Sequence, residues 1–71
     1  MSMHERAVKV LQKNADYARR EADRLNGDAD RRDTSDEFQQ KIVRQLRESA
    51  AARVVEAEEF DDAIAKLEEE S

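Results

Sequence analysis

The chain contains no cysteine, no proline and no tryptophan, one histidine (His4), one glycine (Gly27) and three aromatic residues, Tyr17, Phe38 and Phe60. Each shortage excludes something. Without cysteine there is no disulfide, no thiolate nucleophile and no cysteine-based metal site, and the composition fits a reducing compartment. A lone histidine leaves no Glu-x-x-His pair, so the di-iron carboxylate pattern of helical bundles fails. Absent proline, and with a single glycine, little interrupts a helix once it starts. No apolar run is long enough for a signal peptide or a membrane span, the opening "MSMHERAVKVLQ" included. The expected location is cytoplasmic, in a bacterial or phage-infected cell, and no cofactor is expected.

What is present is charge and alanine. Of the 71 residues 44% are charged, and the apolar complement is sixteen large side chains and eleven alanines. Length allows one domain, residues 1–71. A chain this short hides only about 60% of its unfolded surface. Small scaffolds with thin cores gain stability from a disulfide, a metal or a partner chain. Composition has removed the first two, so a homodimer is expected.

Periodicity gives the elements. Ser2 and Glu5 stand three apart as a capping box at the start of a first helix. Val8, Leu11, Ala15, Ala18, Ala22 and Leu25 then alternate by three and four, one narrow stripe in the style of a coiled coil. Asn26-Gly27 reads as a stop, since both residues accept the left-handed conformation of a helix end. The first helix is therefore placed at about residues 3–25 and a polar connector at 26–34. Thr34 and Glu37 repeat the capping box. Beyond them Phe38, Ile42, Leu46, Ala50, Ala57, Phe60, Ile64 and Leu67 share one face of a helical region over about 35–69.

These lengths create a mismatch. The first helix spans about 35 Å and an unbroken second about 52 Å. Folded back, the second overhangs through Ala57–Leu67. Just before the overhang, the phase of the stripe puts Arg53 on the apolar face and turns Val54 and Val55 away from it. Either the second helix breaks near residues 54–57 and a short third helix folds back, or it stays long, straight or mildly kinked, with its end on another chain. Continuity is favoured, because no glycine, proline or asparagine supports a break.

Charge is unevenly placed. Residues 1–33 are nearly balanced, whereas 34–71 carry a net charge of −6. Glu56, Glu58, Glu59, Asp61, Asp62, Glu68, Glu69 and Glu70 stand against Lys66 alone. Such a block attracts a basic protein surface and repels nucleic acid and anionic membranes. The bases of the first helix are interleaved with acids, and no helix-turn-helix turn is visible, so a nucleic-acid-associated regulator is a remote alternative. Glu58, Glu59, Asp61 and Asp62 lack the loop spacing of a calcium site. No hydroxyl has a base partner visible in the sequence, and the chain is read as a non-enzyme.

Residues 52–70, "ARVVEAEEFDDAIAKLEEE", resemble in composition the carboxy-terminal helices of small bacterial antitoxins. In those proteins an acidic, amphipathic helix covers a basic toxin, so the resemblance implies occlusion of a basic partner. The Ser/Thr-x-x-x-Glu motif of antitoxins that block Fic-type toxins is missing: Ser2, Thr34, Ser35 and Ser49 all lack glutamate four residues on. Small acidic phage proteins that disable host defences, anti-CRISPR inhibitors among them, share the same bulk properties.

The sequence thus predicts an all-α antiparallel helical hairpin that dimerises into a bundle. Leu11, Ala15, Ala18, Ala22, Leu25, Phe38, Ile42 and Leu46 are expected in the oligomer core. Val54, Val55, Glu56, Glu58, Glu59, Phe60, Asp61, Asp62, Ile64 and Leu67 are expected to meet a basic partner, with Phe60, Ile64 and Leu67 as anchors. The competing expectation is a purely structural, self-assembling bundle.

Overall fold

A computed structural model describes residues 3–70 as two helices, α1 (Met3–Arg31) and α2 (Glu37–Glu70), packed against each other. The Ser2 cap lies outside the described residues. Arg19 reaches Asp61, Arg47 reaches Asp30, and His4 and Val8 share a groove with Glu68, so the helices run antiparallel. The long axis measures 54 Å, close to the roughly 51 Å rise of a straight α2.

The seam between the helices is made of alanine. Ala15, Ala18, Ala22 and Ala29 from α1 and Ala50 and Ala57 from α2 are the buried apolar residues, and among the described residues no large side chain is fully enclosed. Spacings of three, four and seven keep these small residues on one line of each helix. Their size permits the close end of the usual 8–10 Å range of helix separation. Leu11, Leu25, Ile42, Leu46, Phe60, Ile64 and Leu67 line the seam half-buried.

Two expectations are corrected. Asn26-Gly27 does not end α1, which continues to Arg31 with no positive φ at Gly27 or anywhere else described. Two tertiary effects outweigh the local stop signal. Ala29 extends the buried line one heptad beyond Ala22, and Arg47 donates to Asn26 Oδ1 (3.3 Å) and Asp30 Oδ1 (2.7 Å). The connector consequently shrinks to residues 32–36, between the two helices. The longer α1 also removes the expected overhang: the segment 57–67 lies along the first half of α1, with Ala57 buried and Arg19 on Asp61.

The second correction concerns the cap of α2. Asp36, not Thr34, caps it: the Gln39 N–H donates to Asp36 Oδ1 at 2.8 Å, and the Gln40 N–H begins the helical ladder on the Asp36 carbonyl at 3.1 Å. Thr34 is held within a turn set by Asp33, whose carboxylate accepts from the Ser35 N–H (3.0 Å) and hydroxyl (3.1 Å). Glu37 is then the first helical residue and is too early to bond back. Asp36→Ala is expected to cost roughly 0.5 kcal/mol, the low end for a cap because the site is open to water. A urea titration followed by circular dichroism checks this; an unchanged midpoint would remove Asp36 as the cap.

At residues 54–57 the favoured continuity holds. α2 passes through Val54–Ala57 as one uninterrupted helix, and no third helix occurs among the described residues.

Candidate functional site

The phase conflict at Arg53, Val54 and Val55 is resolved without a break in α2. Arg53 stays half-buried at the edge of the seam, its guanidinium 6.0 Å from the centre of the Tyr17 ring, and it donates to Glu56 Oε2 at 3.2 Å. A cation over an aromatic face stabilises by about 0.5–1 kcal/mol where solvent has access. The guanidinium therefore has partners in its own chain. Val54 and Val55 remain on the surface, 41% and 52% exposed.

The predicted partner-binding residues divide by exposure. Val54, Val55, Glu58, Glu59, Asp61 and Asp62 are exposed, whereas Glu56, Phe60, Ile64 and Leu67 are half-buried. At about 100° per residue, Val55, Glu58, Glu59 and Asp62 share the side of α2 opposite the seam. Val55 therefore faces solvent among carboxylates there, while Val54, about 100° away, lies on the flank between Glu58 and Asp61. Asp61 stands apart: it is paired with Arg19, so part of the acidic block is neutralised within the chain. The predicted oligomer core also divides. Ala15, Ala18 and Ala22 are enclosed within the single hairpin, Leu11, Leu25, Ile42 and Leu46 flank it, and Phe38 is 70% exposed.

A second surface was not anticipated from the sequence. Met3, Val10 and Tyr17 stand seven residues apart on the flank of α1 that adjoins Arg53, and all three are exposed. Met3, Ala7, Val10 and Leu11, with Arg6, line a shallow apolar groove of about 460 Å³. The signal lay in the sequence as a second seven-residue stripe beside the alanine stripe.

Ion pairs elsewhere are local. Arg24 donates to Glu21 at 2.9 Å, and this bond holds the Glu21 carboxyl below its ordinary value of 4.5 while raising Arg24. A lowered carboxyl pKa means that the contact is complete above the ordinary value and lost as pH falls through the lowered one. At an exposed site its effect on stability is small. His4, Glu5, Val8, Lys9, Gln12 and Glu68 line a groove at the free end, and His4 Nε2 is buried without a hydrogen-bond partner among the described residues. Among the described residues no three His, Cys, Asp or Glu side chains gather as a metal site would require, and no helix is long and apolar enough to cross a membrane.

No protein-family model matches the chain, and no curated protein or solved structure matches it either.

Proposed function

We propose that the protein is a non-enzymatic binding module that masks a basic partner protein with the outer face of α2. The observation that carries this reading is exposed Val55 on the outer face among the carboxylates Glu58, Glu59 and Asp62, with exposed Val54 on the flank beside Glu58. Carbon burial needs an apolar centre, and the carboxylates supply long-range attraction to a surface of opposite sign. The mechanism is occlusion, in the manner of an antitoxin or a phage inhibitor of host defence. Relative to the sequence reading, the anchoring role moves from Phe60, Ile64 and Leu67, which pack along α1, to the two valines.

The test is a low-salt capture experiment with the tagged chain, run beside Val55→Asp and Glu58→Lys/Glu59→Lys variants. A stoichiometric basic protein, released by raised salt and lost in both variants, is the expected result. Retention by both variants would sink the assignment of this face.

A second reading, a pair of hairpins assembled without a foreign partner, is favoured by a different observation. The flank bearing Met3, Val10 and Tyr17 is apolar and open to solvent in the single chain.

A further inference from the structure

We infer that this flank is covered by a second copy of the chain, the two hairpins lying face to face about a two-fold axis parallel to their length, with their free ends together. The inference rests on the second reading above and holds whether or not the outer face of α2 meets another protein.

The first argument is area. A compact monomer of 8.2 kDa exposes about 4,500 Å². The hairpin exposes 5498 Å². The excess, roughly 1,000 Å², comes from a body 54 Å long and only 16 by 11 Å across. It is close to the approximately 800 Å² that each partner contributes to a standard interface.

The second argument is which side is apolar. Arg53 over Tyr17 fixes the two flanks that lie on one side of the hairpin. On α1 that flank is Met3, Val10 and Tyr17; on α2, counting by sevens from Arg53, it is Phe60 and Leu67. Aromatic and aliphatic side chains thus line both helices of one broad face, as a bundle interior requires.

The third argument is charge, and it selects the arrangement. Three residues beyond the α1 flank runs Arg6, Lys13 and Arg20; three beyond the α2 flank runs Glu56, Ala63 and Glu70. One edge of the face is therefore basic, and the other carries the carboxylates Glu70 and Glu56, the latter shared with Arg53 of its own chain. Among the described residues Arg6, Lys13 and Arg20 make no ion pair. A two-fold axis along the hairpin places α1 of one copy over α2 of the other at unchanged height. Arg6 then stands near Glu70 of the second copy and Arg20 near Glu56, because both pairs are separated by the same fourteen residues. A two-fold axis across the hairpin would instead lay α1 on α1, with base against base. Edge charges of this kind set partner choice and orientation in helical bundles.

The chain lacks cysteine, which makes the test clean. Light scattering over a concentration series should give a mass near twice 8.2 kDa. Val10→Asp should raise the dissociation constant by at least about 30-fold, as expected for an interface hot spot. Helicity should be retained, since Val10 is 54% exposed in the single hairpin. Val10→Cys chains mixed with Ala63→Cys chains should form the mixed disulfide under mild oxidation, in preference to Val10→Cys pairing with itself. A chain that stays monomeric overturns both this inference and the second reading. A dimer indifferent to Val10→Asp, or a dominant Val10→Cys self-pair, overturns the face or the axis while leaving that reading intact.

Discussion

Replacing Ala18 by leucine is expected to lower the melting temperature by roughly 5–20 °C. Ala18 has no exposed surface and sits in the middle of the alanine line that lets α1 and α2 approach. A leucine there has no pocket to enter, because Ala18 is fully enclosed where Arg19 reaches Asp61, against the stretch of α2 whose buried residue is Ala57. The helices must separate or the side chain must leave its favoured rotamers, at a cost of about 1–3 kcal/mol. For a domain of this size each kcal/mol corresponds to roughly 4–8 °C. Among the described residues the seam also holds no fully enclosed large side chain, so loss of close approach exposes the half-buried side chains along it as well. Ala51→Leu provides the control: Ala51 is exposed on the far side of α2, and leucine is nearly as good a helix former as alanine. Thermal denaturation followed by circular dichroism compares the two. Equal melting temperatures would mean that the alanine seam is not what holds the hairpin together.

Gly27→Ala should move stability in the opposite direction, by about 0.8–1 kcal/mol, or a rise of some 3–8 °C. Gly27 lies inside α1, without a positive φ. A methyl group built at this position meets only the tip of the Arg31 side chain, at 3.6 Å, an ordinary contact. Alanine therefore removes the entropic disadvantage of glycine in a helix without steric strain. The reading from sequence alone demands the reverse, since a glycine holding a left-handed helix end is destabilised by a β-carbon. The sign of one melting-temperature change thus decides where α1 ends. A lower melting temperature would place the end at Asn26-Gly27 and reinstate the longer connector.

The features legible in the sequence were those written in periodicity. The alanine-rich stripe from Val8 to Leu25 and the stripe from Phe38 to Leu67 specify two helices, because burial of one face repeats every three or four residues. The end of α1 was not legible, because Asn26 and Gly27 carry a strong local preference, whereas their opponents are twenty or more residues away. Arg47 meets Asn26 and Asp30 only once the hairpin has formed. The cap of α2 lies two residues beyond Thr34 for a similar reason. Thr34, Ser35 and Asp36 are all competent caps, and the turn built on the Asp33 carboxylate decides among them.

The surfaces followed the same division. Val54 and Val55 were readable as outward-facing from phase alone, and they are exposed. Phe60, Ile64 and Leu67 look free in the sequence because an α1 ending near residue 25 is too short to cover them. With α1 at 29 residues they have a helix to lie against. The partnership of Tyr17 with Arg53 joins residues thirty-six positions apart, and no local pattern announces it.

The alanine seam leaves one matter undecided that the surface then settles. Ala15, Ala22 and Ala29 recur every seven residues, as do Ala50 and Ala57. If α1 slid along α2 by one heptad, about 10.5 Å, alanine would again lie near alanine, and such small side chains provide few knobs to resist the slide. Packing alone thus permits more than one alignment. The connector limits the choice, and the pairs Arg19–Asp61 and Arg47–Asp30 hold one alignment at two points along the hairpin. Such exposed bridges add little to the free energy of folding. Their effect here is on alignment: they act as index marks on two otherwise smooth rods, selecting among near-equivalent placements that the interior cannot tell apart.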